Sequence, residues 1–131
     1  MIFILDAAAL LNNEVFEFSA KDKYYTTSLV FAEWRDFRSK ALAENAYTRG
    51  LLTIQDPCPV SLQKTFDKCA ESGTEMGEAD SSILALAIEF RERGEKFTVI
   101  TDDYSVQNVL KKLSIKFQGV AHKEIKKHRK F

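Results

Sequence analysis

The segment from Phe97 to Leu113 confines this chain to a narrow set of folds. Phe97 to Ile100 is short, apolar and β-branched, the composition of a buried strand. Asp102 and Asp103 follow at once, and Val106, Val109, Leu110 and Leu113 then recur at helical spacing. A strand that runs straight into a helix is half of a parallel α/β unit. In open sheets of that kind, ligands bind in the crevice beyond the carboxyl ends of the strands. Acids placed there either cap the helix or hold something positive.

The rest of the chain repeats the alternation. Strands are expected over residues 2–5, 24–27, 51–54, 97–100 and 115–117. After the first comes a short apolar turn over 7–11, broken by Asn12 and Asn13. After the second, Ser28 is the expected N-cap of one helix reaching Gly50, with Val30, Trp34, Phe37 and Ala41 along its inward stripe. A third amphipathic helix is expected over 61–70. From Glu78 to Gly94 the pattern is apolar almost all round, which predicts a central, buried helix. The expected architecture is a three-layer α/β fold, a central parallel sheet of about five strands with helices on both faces. One domain spans residues 1–121, and residues 122–131 form a basic C-terminal helix.

Composition narrows the partners. No apolar run approaches the roughly 20 residues of a membrane span. Met1 to Asp6 lacks the features of a signal peptide, and Cys58 and Cys69 show no metal-ligand spacing, so a reduced, cytoplasmic protein is expected. The net charge of zero hides an asymmetry, because residues 122–130 carry +4 and the remainder therefore −4. Lys123, Lys126, Lys127 and Lys130 share one helical face and suit the phosphates of RNA, although a charged, solvated helix end has the same pattern.

Four acids fall at comparable places. Asp6 and Asp102 end two strands, Glu33 lies near the start of the helix after the second strand, and Asp80 opens the buried helix. Gathered in one pocket they would repel, raising some of their pKa values unless a cation neutralised them. Hard carboxylate ligands suit Mg²⁺ or Mn²⁺, whose natural reaction here is hydrolysis of a phosphodiester. Asp80 or Asp103 taken singly is equally well explained as a helix-terminal residue. There is no glycine-rich phosphate loop, and His122 and His128 both lie in the tail, which removes the competing nucleotide and histidine chemistries.

Four stretches carry a family resemblance: Phe3 to Leu10, Thr26-Thr27 through Asp36, Glu78-Ala79-Asp80 with Leu84 to Ala87, and Ile100 to Tyr104. Together they resemble the PIN-domain ribonucleases. The run Asp103-Tyr104-Ser105-Val106-Gln107-Asn108-Val109 is more specifically similar to the Nob-type nucleases that trim the 3′ end of small-subunit rRNA. The resemblance implies a metal-dependent endoribonuclease using Mg²⁺ or Mn²⁺, with pre-rRNA in a small ribosomal subunit precursor as partner. It puts metal ligation and catalysis on Asp6, Glu33, Asp80 and Asp102, with Asp103 as a fifth ligand. The chain departs from the family pattern in having Ala7 and Ala8 after the first acid and Gly77 before the third, where hydroxyl residues are usual. The four-cysteine zinc ribbon that usually follows the basic helix is not within these 131 residues, which fits either a longer chain that carries it or a relative without one. Two other readings share these features: a toxin ribonuclease of a toxin–antitoxin pair, and a catalytically weak RNA-binding assembly module.

Overall fold

Strand β1 (Ile2–Leu5) is apolar at every position, which suits a strand covered on both faces. In the computed structural model, which describes residues 1–11, 16–71, 73 and 76–120, β1 is the middle strand of a five-stranded parallel sheet. β2 (Lys23–Thr26) and then β3 (Leu52–Ile54) extend the sheet on one side of it. β4 (Thr98–Ile100) and then β5 (Phe117–Gln118) extend it on the other. Phe3 lies opposite both Tyr24 and Thr98, and Leu5 lies opposite Ile100.

This order has a functional consequence. The chain builds outward from β1 to β3, then returns to the far side of β1 for β4. The order therefore reverses between β1 and β4, and the crevice outside their carboxyl ends is where a sheet of this kind binds ligands.

Six helices cover the sheet among the described residues. They are α1 (Ala8–Leu11), α2 (Ser28–Glu33), α3 (Phe37–Thr48), α4 (Pro59–Glu71), α5 (Glu78–Glu92) and α6 (Tyr104–Lys112). The near-continuous apolar run predicted a central α5, and residues 81–87 and Phe90 are all buried. α5 packs on α4, α2, α6 and β1, so it is surrounded and has little use for a polar face. No helix among the described residues is long and apolar enough to cross a membrane.

Three expectations need correction. The single helix expected from Ser28 to Gly50 is two helices, α2 and α3. Trp34 leaves helical geometry because its indole N–H reaches across to the Ala7 carbonyl at 2.9 Å. Asp36 then starts a new helix by accepting the Ser39 N–H at 3.0 Å. The break turns Phe37 out of the core, to 91% exposure. The cap of α2 is Thr27, whose hydroxyl accepts the Val30 N–H, and not Ser28. The last strand is also shorter than expected: Ile115 is buried but bonds back to the Leu110 carbonyl, so pairing begins later in the chain. The basic helix expected over 122–131 lies outside the described residues.

Candidate active site

β1 delivers Asp6 to the strand-order reversal, and its backbone N–H bonds the Ile100 carbonyl at 3.1 Å, fastening it to the end of β4. The side chain is only 2% exposed. Its Oδ1 accepts the Ala7 N–H at 2.6 Å and its Oδ2 accepts the Thr101 hydroxyl at 2.7 Å. Burial pushes the Asp6 pKa up, the two hydrogen bonds pull against that, and the charges of Asp103 and Glu33 push it up again.

Thr101 joins two of the acids. Its hydroxyl donates to Asp6 and accepts the Asp103 N–H at 3.1 Å. Asp103 in turn caps α6 by accepting the Val106 N–H at 3.1 Å. Asp103 is therefore both a helix cap and a wall of the cavity, since one oxygen suffices for the cap.

Asp80 lies in the first turn of α5, where Gly77 caps the helix without a side-chain bond. Its pKa is pushed up to about 6, chiefly by burial, then by the charges of Asp6, Asp103 and Glu33, and by a hydrogen bond with Asp6 that favours the protonated acid. Glu33 ends α2 and is exposed, facing the same hollow. Two cross-links hold these elements together. Thr27 and Ser82 hydroxyls meet at 2.7 Å, tying the start of α2 to the start of α5. The Trp34 indole ties the end of α2 to Ala7.

The result is an open cavity of about 300 Å³ whose wall carries Asp6, Glu33, Glu78, Asp80 and Asp103. Asp102 is not part of it. Its Oδ1 accepts the Val120 N–H at 3.0 Å, and a side-chain carbon at Gly119 would come within 2.5 Å of that same oxygen. The expectation that set Asp102 before Asp103 is thus corrected by position: successive residues leaving a strand point opposite ways, and only Asp103 faces the cavity. Lys123, Lys126, Lys127 and Lys130 lie outside the described residues. A larger hollow of about 620 Å³ opens near the start of β4, but it gathers Arg91, Lys96 and Lys116 with Glu95 and holds no converging acids.

Sequence reasoning missed three contributors. Glu78 adds an acid to the wall. Thr101 supplies to Asp6 the hydroxyl that Ala7 and Ala8 do not. Ser82, hidden in an apolar helix, completes the bond to Thr27. None carries a periodic signal, because each acts through a contact between distant parts of the chain.

The donor set fits a divalent cation. Burial and neighbouring carboxylates push the pKa values of Asp6 and Asp80 up, a hard cation would relieve both, and oxygen-only ligands suit such a cation better than a thiophilic metal. Among the described residues no three His, Cys, Asp or Glu side chains stand in the arrangement of an ion site.

The model of the "PIN domain of ribonuclease" matches residues 3–90, two-thirds of the chain and every element that builds the cavity except β4 and α6. The chain belongs to the PIN-domain ribonuclease family. It is 40% identical to "Endoribonuclease Nob1" of Methanothermobacter thermautotrophicus over 89% of its length and 67% of that protein's. It is 32% identical to "Endoribonuclease Nob1" of Methanocaldococcus jannaschii over 90% of its length, and spans only 56% of that relative. Among solved structures, VapBC2 from Rickettsia felis bound to a promoter DNA fragment has a chain with the same fold, at a TM-score of 0.62. That match covers 91% of this chain and 98% of the other at 14% identity.

Two measurements test this account of the PIN-domain cavity. Thr101→Val removes the donor to Asp6 and the acceptor for Asp103, so Mn²⁺ affinity measured by calorimetry should fall about 10- to 100-fold. An affinity within about twofold of wild type would remove Thr101 from the site. The second uses Asp80, whose pKa is higher folded than its ordinary value of 3.8. The folded state then binds the proton more tightly, so stability is retained at low pH and lost as pH rises through about 6. In chelator, Asp80→Asn should be more stable than wild type at pH 8, with the advantage vanishing towards pH 4. Thermal melts that show the same difference at both pH values would contradict the assignment.

Proposed function

We propose that this chain is a divalent-metal-dependent endoribonuclease that hydrolyses RNA phosphodiesters, with the 3′ end of small-subunit rRNA, in a precursor ribosomal particle, as its substrate. The observation that carries the proposal is the burial of Asp6 in a cavity shared with Asp80, Asp103 and Glu33, where burial first and neighbouring carboxylates after it push the pKa values of Asp6 and Asp80 up. Such a group is costly without a cation and well suited to one.

In this reading Asp6 and Asp103 are the fixed ligands, because Thr101 and the cap of α6 set their positions before any ion arrives. Asp80 would hold the cation as its deprotonated carboxylate. Glu33, more exposed, would complete the set from the end of α2. A bound Mg²⁺ or Mn²⁺ supplies Lewis acidity towards the phosphoryl oxygen and lowers the pKa of water at neutral pH. The protein's own part is to hold the phosphodiester above the acids, and the lysines at 123, 126, 127 and 130 are proposed to supply phosphate contacts that the acidic wall cannot.

The identities of 40% and 32% to the two Nob1 proteins, over 89% and 90% of the chain, support an rRNA-processing reading over a toxin reading, since "Ribonuclease VapC3" of Aeropyrum pernix is 29% identical over 69% of it. The deciding experiment incubates the protein with a pre-rRNA fragment spanning the mature 3′ end, with Mn²⁺ or with chelator. Cleavage should require the metal. Asp103→Asn should slow it at least tenfold, about 1.4 kcal/mol in barrier. Asp102→Asn should slow it less than about threefold, since an Asn oxygen still accepts the Val120 N–H. Cleavage that persists in chelator, or the opposite ranking of the two variants, would overturn the assignment; binding without cleavage would favour an assembly module.

A further inference from the structure

The hydrogen-bond ladder between β4 and β5 stops one bond short. Ile100 lies opposite Gln118, so by the same register Thr101 stands opposite Gly119, and its N–H still bonds the Gln118 carbonyl at 3.1 Å. In a parallel pair the carbonyl of that residue next accepts an N–H one place further along the partner, which here is Val120. The Val120 N–H bonds the Asp102 carboxylate at 3.0 Å instead. Thr101 is fully buried, so its carbonyl is left without a ladder partner where water cannot serve it.

The Gln107 side chain takes the vacant place. Its amide N–H donates to the Thr101 carbonyl at 2.8 Å. A carbonyl only accepts, so the nitrogen of the amide and not its oxygen must face it. Gln107 is itself well mounted on α6: its backbone N–H bonds the Asp103 carbonyl at 2.9 Å, and Val106, Val109 and Leu110 around it are buried. With its N–H on β5 and its carbonyl on Gln107, the Thr101 backbone is fixed on both sides. Its hydroxyl then lies where it donates to Asp6 and accepts the Asp103 N–H. A side chain that only satisfied a buried carbonyl would add stability and nothing else. This carbonyl belongs to the residue that joins two acids of the cavity.

We propose that Gln107 is a positioning residue of the cavity, whose bond to the Thr101 carbonyl sets the separation of the Asp6 and Asp103 carboxylates and so readies them for one cation. The proposal rests on the metal-dependent nuclease reading and deepens it, by adding a residue that acts through Thr101 rather than on the ion. Groups that hold a ligand's own hydrogen-bond partner change metal affinity by about 10- to 100-fold. Without the Gln107 amide, the Thr101 carbonyl competes with Asp102 for the Val120 N–H. Turning towards that N–H tilts the Thr101 peptide, and the hydroxyl between the two acids moves with it.

The test uses the full chain with Gln107→Ala, with Gln107→Met, which keeps the stem and loses the donor, and with the exposed neighbour Asn108→Ala as control. Mn²⁺ affinity by calorimetry should fall about tenfold in both Gln107 variants and stay within about twofold in the control. In chelator, hydrogen exchange at the Asp103 amide, which bonds the Thr101 hydroxyl, should quicken about tenfold in the same two variants. With a pre-rRNA fragment at saturating Mn²⁺, kcat should fall at least about threefold while KM stays within about twofold. Because Gln107 acts through Thr101, adding Gln107→Ala to Thr101→Val should lower Mn²⁺ affinity by less than about threefold more. Wild-type affinity and Asp103 exchange in both Gln107 variants overturn the proposal, even if their melting temperatures fall, because Gln107 is then only a stabilising side chain. A double variant whose loss is the product of the two single losses overturns it as well. A wild-type protein that binds Mn²⁺, loses affinity on Gln107→Ala and leaves the RNA uncut overturns the nuclease reading and supports the positioning role.

Discussion

A carboxylate at the end of the central strand, 2% exposed and set among other acids, is the constraint on which the rest of this structure depends. Burying a charge is expensive, and Asp6 is held by the Ala7 N–H and the Thr101 hydroxyl. The Thr101 bond needs β1 and β4 to be neighbours, in register, with Thr101 directly after its strand. The sheet order, the capping of α6 and the position of Asp103 all follow from the same requirement. The hydroxyl groups that the family usually carries beside its first and third acids are absent here, and Thr101 and the Thr27–Ser82 pair stand in related places from other elements.

Much of this was legible in the sequence because it is periodic. The apolar Ile2–Leu5 run, the strand before Asp102 and the all-round apolar α5 each have one physical solution, and together they imply a parallel sheet. That Asp6, Glu33 and Asp80 line one cavity was readable from the expected place of each after a strand or early in a helix, although Glu33 stands at the end of α2. What failed was decided by single tertiary contacts. The Ser28 to Gly50 stretch keeps a helical period across its break, and only the Trp34 indole's reach to Ala7 interrupts it. Phe37 therefore looked like a core residue and is not.

The choice between Asp102 and Asp103 is the instructive case. They are adjacent acids at a strand end, and nothing in their types says which one faces the crevice. The strand's alternation decides it, together with Gly119, whose missing side chain leaves room for the Asp102 carboxylate to reach the Val120 N–H. A glycine just beyond a short edge strand was the one available signal of that close approach.

The central claim is that Asp6, Asp80 and Asp103 form one cation site at the strand-order reversal. Crystals grown with Mn²⁺ and measured at an anomalous wavelength test it directly. The account predicts an anomalous peak about 2.0–2.3 Å from oxygens of Asp6 and of at least one of Asp80 and Asp103. A peak on Asp102 instead, or none at saturating Mn²⁺, would contradict it.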